Sequence, residues 1–401
     1  MPSDHDPRGA VCARNIAAFR PGRHIRNVMR SGGSDCIVVG AGLIGLSTAV
    51  HLAWQGLDVR VIERGRIGDG TSSKASGWIS AQLRTPNPLL ELVLDSQAYY
   101  PDFLARLGDD CGYERSGSLV VFDSHEQLEQ RRLLDVTQRA ARGYAGARFV
   151  DAAEVHALEP ALAPTIVAGA LFEDDAQVEP LPLMEALSRA VHAAGGSVHV
   201  GATVSAIARD GANWRVTTTI GDFSAARLVL CAGAWSPSVA ELVGLDLPVL
   251  PVSGQLLVTE PRKGALRRCV VYQPDPRFDT RLACGVRPAT DGRLWLGTTY
   301  RAGTFDVTIT SEDTRAIHDA FRAVFPALAD IAIAEAWAGV RPVPADLLPI
   351  YGRIPANEDL FLGVPVAGLA EAAGAGRLLA RIVCGEAPES AAYAVARFGT
   401  D

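Results

Sequence analysis

Cys36-Ile37-Val38-Val39-Gly40-Ala41-Gly42-Leu43-Ile44-Gly45 is the stretch that decides the fold. Its first four residues read as a short buried strand that runs into a glycine-rich turn. A helix is expected from about Ile44 to Gln55, stopped by Gly56. Asp58-Val59-Arg60-Val61-Ile62 is a second strand, ending on Glu63. Strand, turn, helix and strand make a parallel βαβ unit. Gly40, Gly42 and Gly45 form GxGxxG, with Glu63 18 residues beyond Gly45, a specific signal for a dinucleotide in this context. Gly40 permits the tight turn. Gly42 lets the backbone leading into Leu43 and Ile44 approach a pyrophosphate at the helix N-terminus, where free N–H groups and the dipole favour anions. Gly45 lets helix and strand close on each other, and Glu63 is placed to accept ribose hydroxyls.

A loop of small residues follows: Arg64-Gly65-Arg66-Ile67-Gly68-Asp69-Gly70-Thr71-Ser72-Ser73-Lys74-Ala75-Ser76-Gly77-Trp78. Its N–H and hydroxyl donors suit a long cofactor lying beside it. A flexible surface loop has the same composition, and the residues alone leave both readings open.

The remaining chain bounds the answer. Its 401 residues allow two or three domains at about 150 residues each. With 48% hydrophobic and 21% charged residues the composition is globular. No run of roughly 18 apolar residues reads as a membrane span. A net charge of −7 argues against a general nucleic-acid binder. Only two of the 38 basic residues are lysines, Lys74 and Lys263, which limits lysine-based mechanisms. Seven cysteines without CxxC fit a reducing, cytoplasmic setting and no zinc site. The eight histidines are scattered, giving no local support for a hydrolytic triad or a metal cluster. Residues 1–33 are arginine-rich and are expected to be a disordered tail without a catalytic role. A transit peptide and an overextended start, with Met29 as the true beginning, both account for them.

Further along, helices are expected at His125–Arg142, Leu183–Ala194, Ser311–Val324 and Gly374–Cys384. Strands are expected at Ser118–Phe122, Ala168–Phe172, Ser197–Val200, Thr203–Ala208, Trp214–Thr219, Arg227–Leu230, Gln255–Val258, Leu294–Gly297 and Leu360–Leu362. Trp337–Pro349 reads as a loop. Strand–helix alternation at both ends with a strand-rich middle predicts an α/β protein whose nucleotide domain is interrupted by a substrate domain.

Four segments together resemble the FAD-dependent D-amino-acid oxidase / glycine oxidase (DAO) superfamily of amine and amino-acid oxidoreductases. They are the N-terminal GAGLIG with Glu63, the loop Thr71 to Gly77, Trp337-Ala338-Gly339-Val340-Arg341-Pro342 with Asp346 and Pro349, and Gly363 to Arg377. The resemblance spans about residues 35–386. It implies a Rossmann-like FAD-binding domain of glutathione-reductase type, built from 34–115, 173–250 and 335–386. An interleaved mixed or antiparallel substrate domain takes 116–172 and 251–334, and 387–401 form a C-terminal tail. It implies FAD contacts from Gly40, Gly42, Leu43, Ile44, Gly45, Glu63, Arg64, Thr71, Ser72, Ser73, Ala75, Ser76 and Gly77. Further contacts are implied for Val204, Ala232, Gly233, Trp235, Arg341, Gly363, Gly368 and Leu369. The flavin-side loop has neither His nor Cys, so non-covalent FAD is expected.

Flavin amine oxidation leaves the protein mainly to orient the substrate. A bidentate guanidinium is the natural clamp for an amino-acid carboxylate, and Arg341 stands in the matching position. The resemblance is imperfect at three places. Val364 replaces a family His, Ser253 an Arg, and Gly285 a Tyr, which is expected to enlarge the pocket or remove a carboxylate hydrogen bond. Tyr272 and Tyr300 are the nearest candidate replacements, and Lys74 is a candidate for promoting reaction with oxygen. The expected activity is oxidation of a CH–NH or CH–NH₂ bond of a bulkier or N-substituted amino acid, with O₂ or an electron-transfer acceptor as oxidant. The alternatives are a flavin subunit of a hetero-oligomeric opine- or hydroxyproline-type dehydrogenase and a flavin-binding scaffold without turnover.

Overall fold

The computed structural model describes residues 33–81, 87–272, 282–355 and 357–399. The expected N-terminal tail, residue 33 apart, and the alternative start at Met29 lie outside these residues.

The βαβ unit organises the first sheet. Ser34–Val39 pairs in parallel with Val59–Ile62 on one side and Gly221–Leu230 on the other, and Leu43–Trp54 is the helix between. Parallel pairing continues outward to Ser197–His199 and to Leu360–Val364, and Ile350–Arg353 closes one edge antiparallel. Val204–Asp210 and Asn213–Thr218 add an antiparallel flap on Gly221–Leu230, giving eight strands among the described residues. The central strands are near-continuous apolar runs, as a parallel sheet covered on both faces requires. Leu43–Trp54 packs against helices Pro180–Ala193 and Ala372–Val383. The last contact is close because Gly376 has no side chain: a Cβ there would lie 2.1 Å from Ser47 Oγ, which donates to Ala372 O. A helix the sequence reading omitted, Pro88–Leu107, starts on an Asn87 cap and ends at left-handed Gly108.

The second sheet is mixed and has nine strands among the described residues. From one edge its order is Arg301–Ala302, Val249–Thr259, Leu294–Thr299, Leu282–Pro288, Cys269–Tyr272, Ser118–Phe122, Ala168–Phe172 and Arg148–Asp151. Ile333–Pro344 pairs along Val249–Thr259. One face is covered by helices Ala152–Leu158 and Ser311–Val324 through Val155, Ile317 and Phe321. Register fixes what the other face carries. Trp337, Leu256, Gly297, Gly285 and Val271 lie opposite one another across successive strands, so they share a face. Arg341 is four residues from Trp337 on its strand and points to that same face.

One expectation needs correction. Trp337–Pro349 is strand as far as Pro344, because Pro342 and Pro344 sit on a strand paired along one side only, where a missing N–H is tolerated. Residues 335–344, assigned by sequence to the FAD-binding part, therefore belong to the second sheet. The C-terminal segment is also packed as far as it is described. Tyr393 donates to Pro88 O at 2.6 Å, and Val395 is buried.

Candidate active site

A cavity of about 1100 Å³ opens at the carboxyl ends of the parallel strands, beside the glycine turn, which is where open α/β sheets place ligands. Gly40 takes φ +107°, a conformation that favours glycine, and donates its N–H to Ile62 O at 2.8 Å. A Cβ on Gly45 would stand 1.9 Å from Gly40 O, so this glycine closes the helix on the turn. Glu63 accepts from the N–H groups of Ala41 and Gly65, both at 2.8 Å, and braces the turn. Ser72 Oγ accepts from Leu43 N–H at 3.1 Å, so the small-residue loop supplies the cap that the helix start lacks.

That loop lies along the cavity. Thr71 donates to Val340 O, and Gly339 permits close approach of Lys74. Lys74 Nζ donates to Asp69 O at 2.8 Å and Gly70 O at 3.1 Å, which braces the loop. Gly77 ends the loop against Arg287, which is 1% exposed, paired through two 3.0 Å hydrogen bonds with Glu179, and stacked on Trp295. Burial pushes the Glu179 carboxyl up, but Arg287 and the Thr290 N–H outweigh it and hold the group below its ordinary value. On the opposite wall Arg64 stacks on Trp235 at 3.9 Å, and Trp235 on Phe305.

Arg341 lines the cavity half-buried. Its guanidinium reaches Val366 O at 3.3 Å and lies 6.0 Å from the Tyr300 ring centroid, and no carboxylate among the described residues pairs with it. The segment Val366–Gly368 beside it is held by one carboxylate, as Glu371 Oε1 accepts from the N–H groups of Val366, Ala367 and Gly368. Glu371 is fully buried. Burial and this neighbouring carboxyl hold the Tyr351 hydroxyl far above its ordinary value.

Of the residues expected from sequence, the cavity brings together Gly40, Gly42, Leu43, Ile44, Glu63, Arg64, Thr71, Ser72, Lys74, Ala75, Ser76 and Gly77. It also gathers Val204, Ala232, Gly233, Trp235, Tyr300, Arg341, Gly368 and Leu369. Four expected residues do not line it. Gly45 and Gly363 are packing glycines, the latter with Cys231 and Leu379 against it. Ser73 turns its backbone N–H to Gly68 O. Tyr272 donates to Asp123 at 2.5 Å outside the cavity, so Tyr300 is the tyrosine near Arg341. Sequence reasoning missed Trp78, Phe305, Val307 and Leu347 as lining residues and Glu371 as the anchor behind them. Trp78 directly follows the loop ending at Gly77 and was the one legible in principle.

Among the described lining residues there is no histidine, and the one cysteine, Cys231, has its thiol pushed up to about 12 by burial. His51 is a core residue. Burial lowers it to about 3, so it is neutral between Ser47 O and the Tyr99 hydroxyl. No group of His, Cys, Asp and Glu among the described residues is arranged to hold a metal. No helix of the described residues is long and apolar enough to cross a membrane. The donor set fits FAD: glycine backbone at the helix start, a carboxylate at the strand end, and backbone at Gly233 and Gly368 where an added Cβ would meet nothing within 4 Å.

Comparison with known proteins agrees with this geometry. Glycine oxidase of Pseudomonas aeruginosa is 31% identical over 371 residues, covering 90% of this chain and 98% of that protein. Glycine oxidase of Geobacillus kaustophilus is 29% identical over 347 residues, covering 82% and 86%. The crystal structure of that enzyme superposes with a TM-score of 0.84 at 26% identity, over 91% of this chain and 98% of the other. Hydrogen cyanide synthase subunit HcnC of P. aeruginosa is 27% identical over 366 residues, covering 80% and 84%. Residues 35–382 match the family described as DAO, FAD dependent oxidoreductase. The chain therefore belongs to the DAO family of FAD-dependent amino-acid and amine oxidoreductases.

Proposed function

We propose that the protein oxidises the C–N bond of an amino acid or N-substituted amino acid, with Arg341 holding the substrate carboxylate. The observation that carries this reading is an arginine in the cavity, on a paired strand, without a carboxylate partner among the described residues. Such a guanidinium retains donors for a bidentate anion. Tyr300, beside it, offers a hydroxyl to the same group. Val366–Gly368, tied down by Glu371, fixes the backbone that lines the cavity beside Arg341.

FAD, which the glycine turn, Glu63 and the loop Thr71 to Gly77 would hold in the cavity, would supply the hydride acceptor for oxidation of the C–N bond. The protein binds the substrate carboxylate, orients the α-carbon and excludes water. No catalytic base is required when the amine binds neutral. FAD is held without a covalent bond, a reading supported by the protonated Cys231 and the absence of histidine among the described lining residues. Residues 34–115, 173–248 and 345–386 would hold FAD, and 116–172 with 249–344 would form the substrate part, a division that follows membership of the two large sheets. The electron acceptor is oxygen or an electron-transfer partner, and the cytoplasmic setting read from cysteine usage is retained.

The test is anaerobic bleaching of the visible flavin band of the purified holoprotein against D- and L-amino acids, N-methyl amino acids and opines. Bleaching by carboxylate-bearing amines and not by simple amines supports the reading, and bleaching by none overturns it. A second reading, a flavin subunit of a hetero-oligomeric dehydrogenase, draws on the likeness to a subunit, HcnC, and on exposed Phe305, Val307 and Leu347 at the cavity rim. Dye reduction that needs a co-purified partner would favour it.

A further inference from the structure

Trp78 is a cavity wall that the reading so far leaves without a task. It forms, with Ile79, a two-residue strand paired to Ala176–Gln177, so its backbone position is fixed. Its ring packs against the cavity-side face of the second sheet, on the cluster containing Val120, Ala170 and Val271. A Cβ added to Gly285 would lie 3.1 Å from Cζ3 of the indole. Gly285 therefore leaves a space that the tryptophan fills. Of the two outcomes expected for glycine at 285, an enlarged pocket or a lost carboxylate hydrogen bond, this bears on the first. The volume is taken by an apolar ring attached to a different part of the chain. Gly285 and Arg341 share one face of the sheet, and Trp78 and Arg341 line one cavity.

Packing alone does not call for an indole. Its Nε1 is buried and has no hydrogen-bond partner among the described residues. Leaving a buried donor unpaired costs free energy that a phenylalanine would not incur. What the indole adds is apolar surface at the edge of the cavity.

We infer that Trp78, seated over Gly285, is a specificity-determining residue that gives the cavity an apolar wall, so the preferred ligand carries an apolar group beyond the carboxylate that Arg341 holds. This rests on the reading of Arg341 as the carboxylate clamp. Glycine offers nothing to such a wall, whereas an amino acid with an apolar or aromatic substituent buries it there.

The experiment uses FAD-loaded protein and two inert carboxylates that differ by one phenyl group, acetate and phenylacetate, with dissociation constants read from the perturbation of the flavin spectrum. Wild type is expected to bind phenylacetate about tenfold or more tighter than acetate, the scale of burying part of a ring. Trp78→Phe keeps that preference. Trp78→Ala lowers it about fivefold or more while acetate affinity stays within about twofold. Should Trp78→Ala fail to retain FAD, Trp78→Gln keeps bulk while replacing the apolar surface by a polar one, and carries the same expectation against Trp78→Phe. A ratio unchanged by Ala or Gln, or equal loss of both carboxylates, overturns the inference. An amino-acid panel that leaves the flavin unbleached while the carboxylate ratio still depends on Trp78 sinks the proposed activity and spares the wall. Bleaching with a ratio insensitive to Trp78 does the reverse.

Discussion

Gly42 and Gly45, three residues apart in sequence, should fail in different ways. Gly42 sits at the helix start with φ −83° and ψ −178°, extended backbone that alanine adopts freely. A Cβ there would meet only Ser72 Oγ, at 3.0 Å. If that hydroxyl turns away, the Leu43 N–H loses its 3.1 Å acceptor. Such a loss costs about 1 kcal/mol. The smaller conformational freedom of alanine in the unfolded chain offsets about 0.4–1 kcal/mol. Apoprotein stability of Gly42→Ala should therefore stay within about 1 kcal/mol of wild type. A methyl group there would, however, crowd the backbone approach that a pyrophosphate needs at the helix start. Losing one or two charge-assisted N–H contacts, about 3 kcal/mol in total, weakens FAD binding about a hundredfold.

Gly45→Ala is the opposite case. Its Cβ would stand 1.9 Å from Gly40 O, 3.1 Å from Gly40 C and 3.3 Å from Cys231 Cβ. Gly40 cannot yield, because its N–H is bonded to Ile62 O and its φ is +107°. Helix and turn must separate by well over an ångström, at the upper end of overpacking costs, about 3 kcal/mol or more. The assay is urea unfolding of both apoproteins, with FAD dissociation constants from reconstitution. Gly42→Ala holding FAD within about threefold of wild type, or Gly45→Ala apoprotein as stable as Gly42→Ala, would refute the division of labour between the two glycines.

Three further outcomes follow from the same geometry. Arg341→Ala should cut kcat/KM for carboxylate-bearing substrates about 10²–10³-fold and leave simple amines nearly unaffected, and equal loss for both would contradict the clamp. Arg287→Met should destabilise the fold by about 3–5 kcal/mol, because Glu179 is left without its cation in a largely buried setting, and FAD content should fall as the Gly77 end of the loop loses its support. Stability should fall as pH drops from the ordinary histidine value of 6.5 towards 3. His51 is neutral when folded but takes a proton when unfolded, and His51→Phe should flatten that slope in urea unfolding followed across pH.

The nucleotide half of the fold was legible because its signals are local. GxGxxG, the preceding apolar run and Glu63 fall within one βαβ unit, and Gly40 and Gly45 are each required by a contact within that unit or beside its neighbouring strand. Helix Ser311–Val324 and strands Ser118–Phe122 and Ala168–Phe172 were readable for the same reason, from periodicity and flanking turns. The strand bearing Arg341 was read as loop because its prolines argue against a ladder. Only pairing along Val249–Thr259 reveals an edge where they are harmless.

The sequence by itself thus determined the dinucleotide turn and the loop beside it, and singled out Arg341, which lines the cavity. Tertiary structure decided which side chains meet. It set Tyr300 rather than Tyr272 near Arg341, gave Glu371 three backbone N–H groups, tied Lys74 to loop carbonyls and laid Trp78 over Gly285. The physical reason is strand register. A side chain's face is set by pairing between segments far apart in the chain, and a slip of one residue would turn Arg341 and Gly285 away from the cavity.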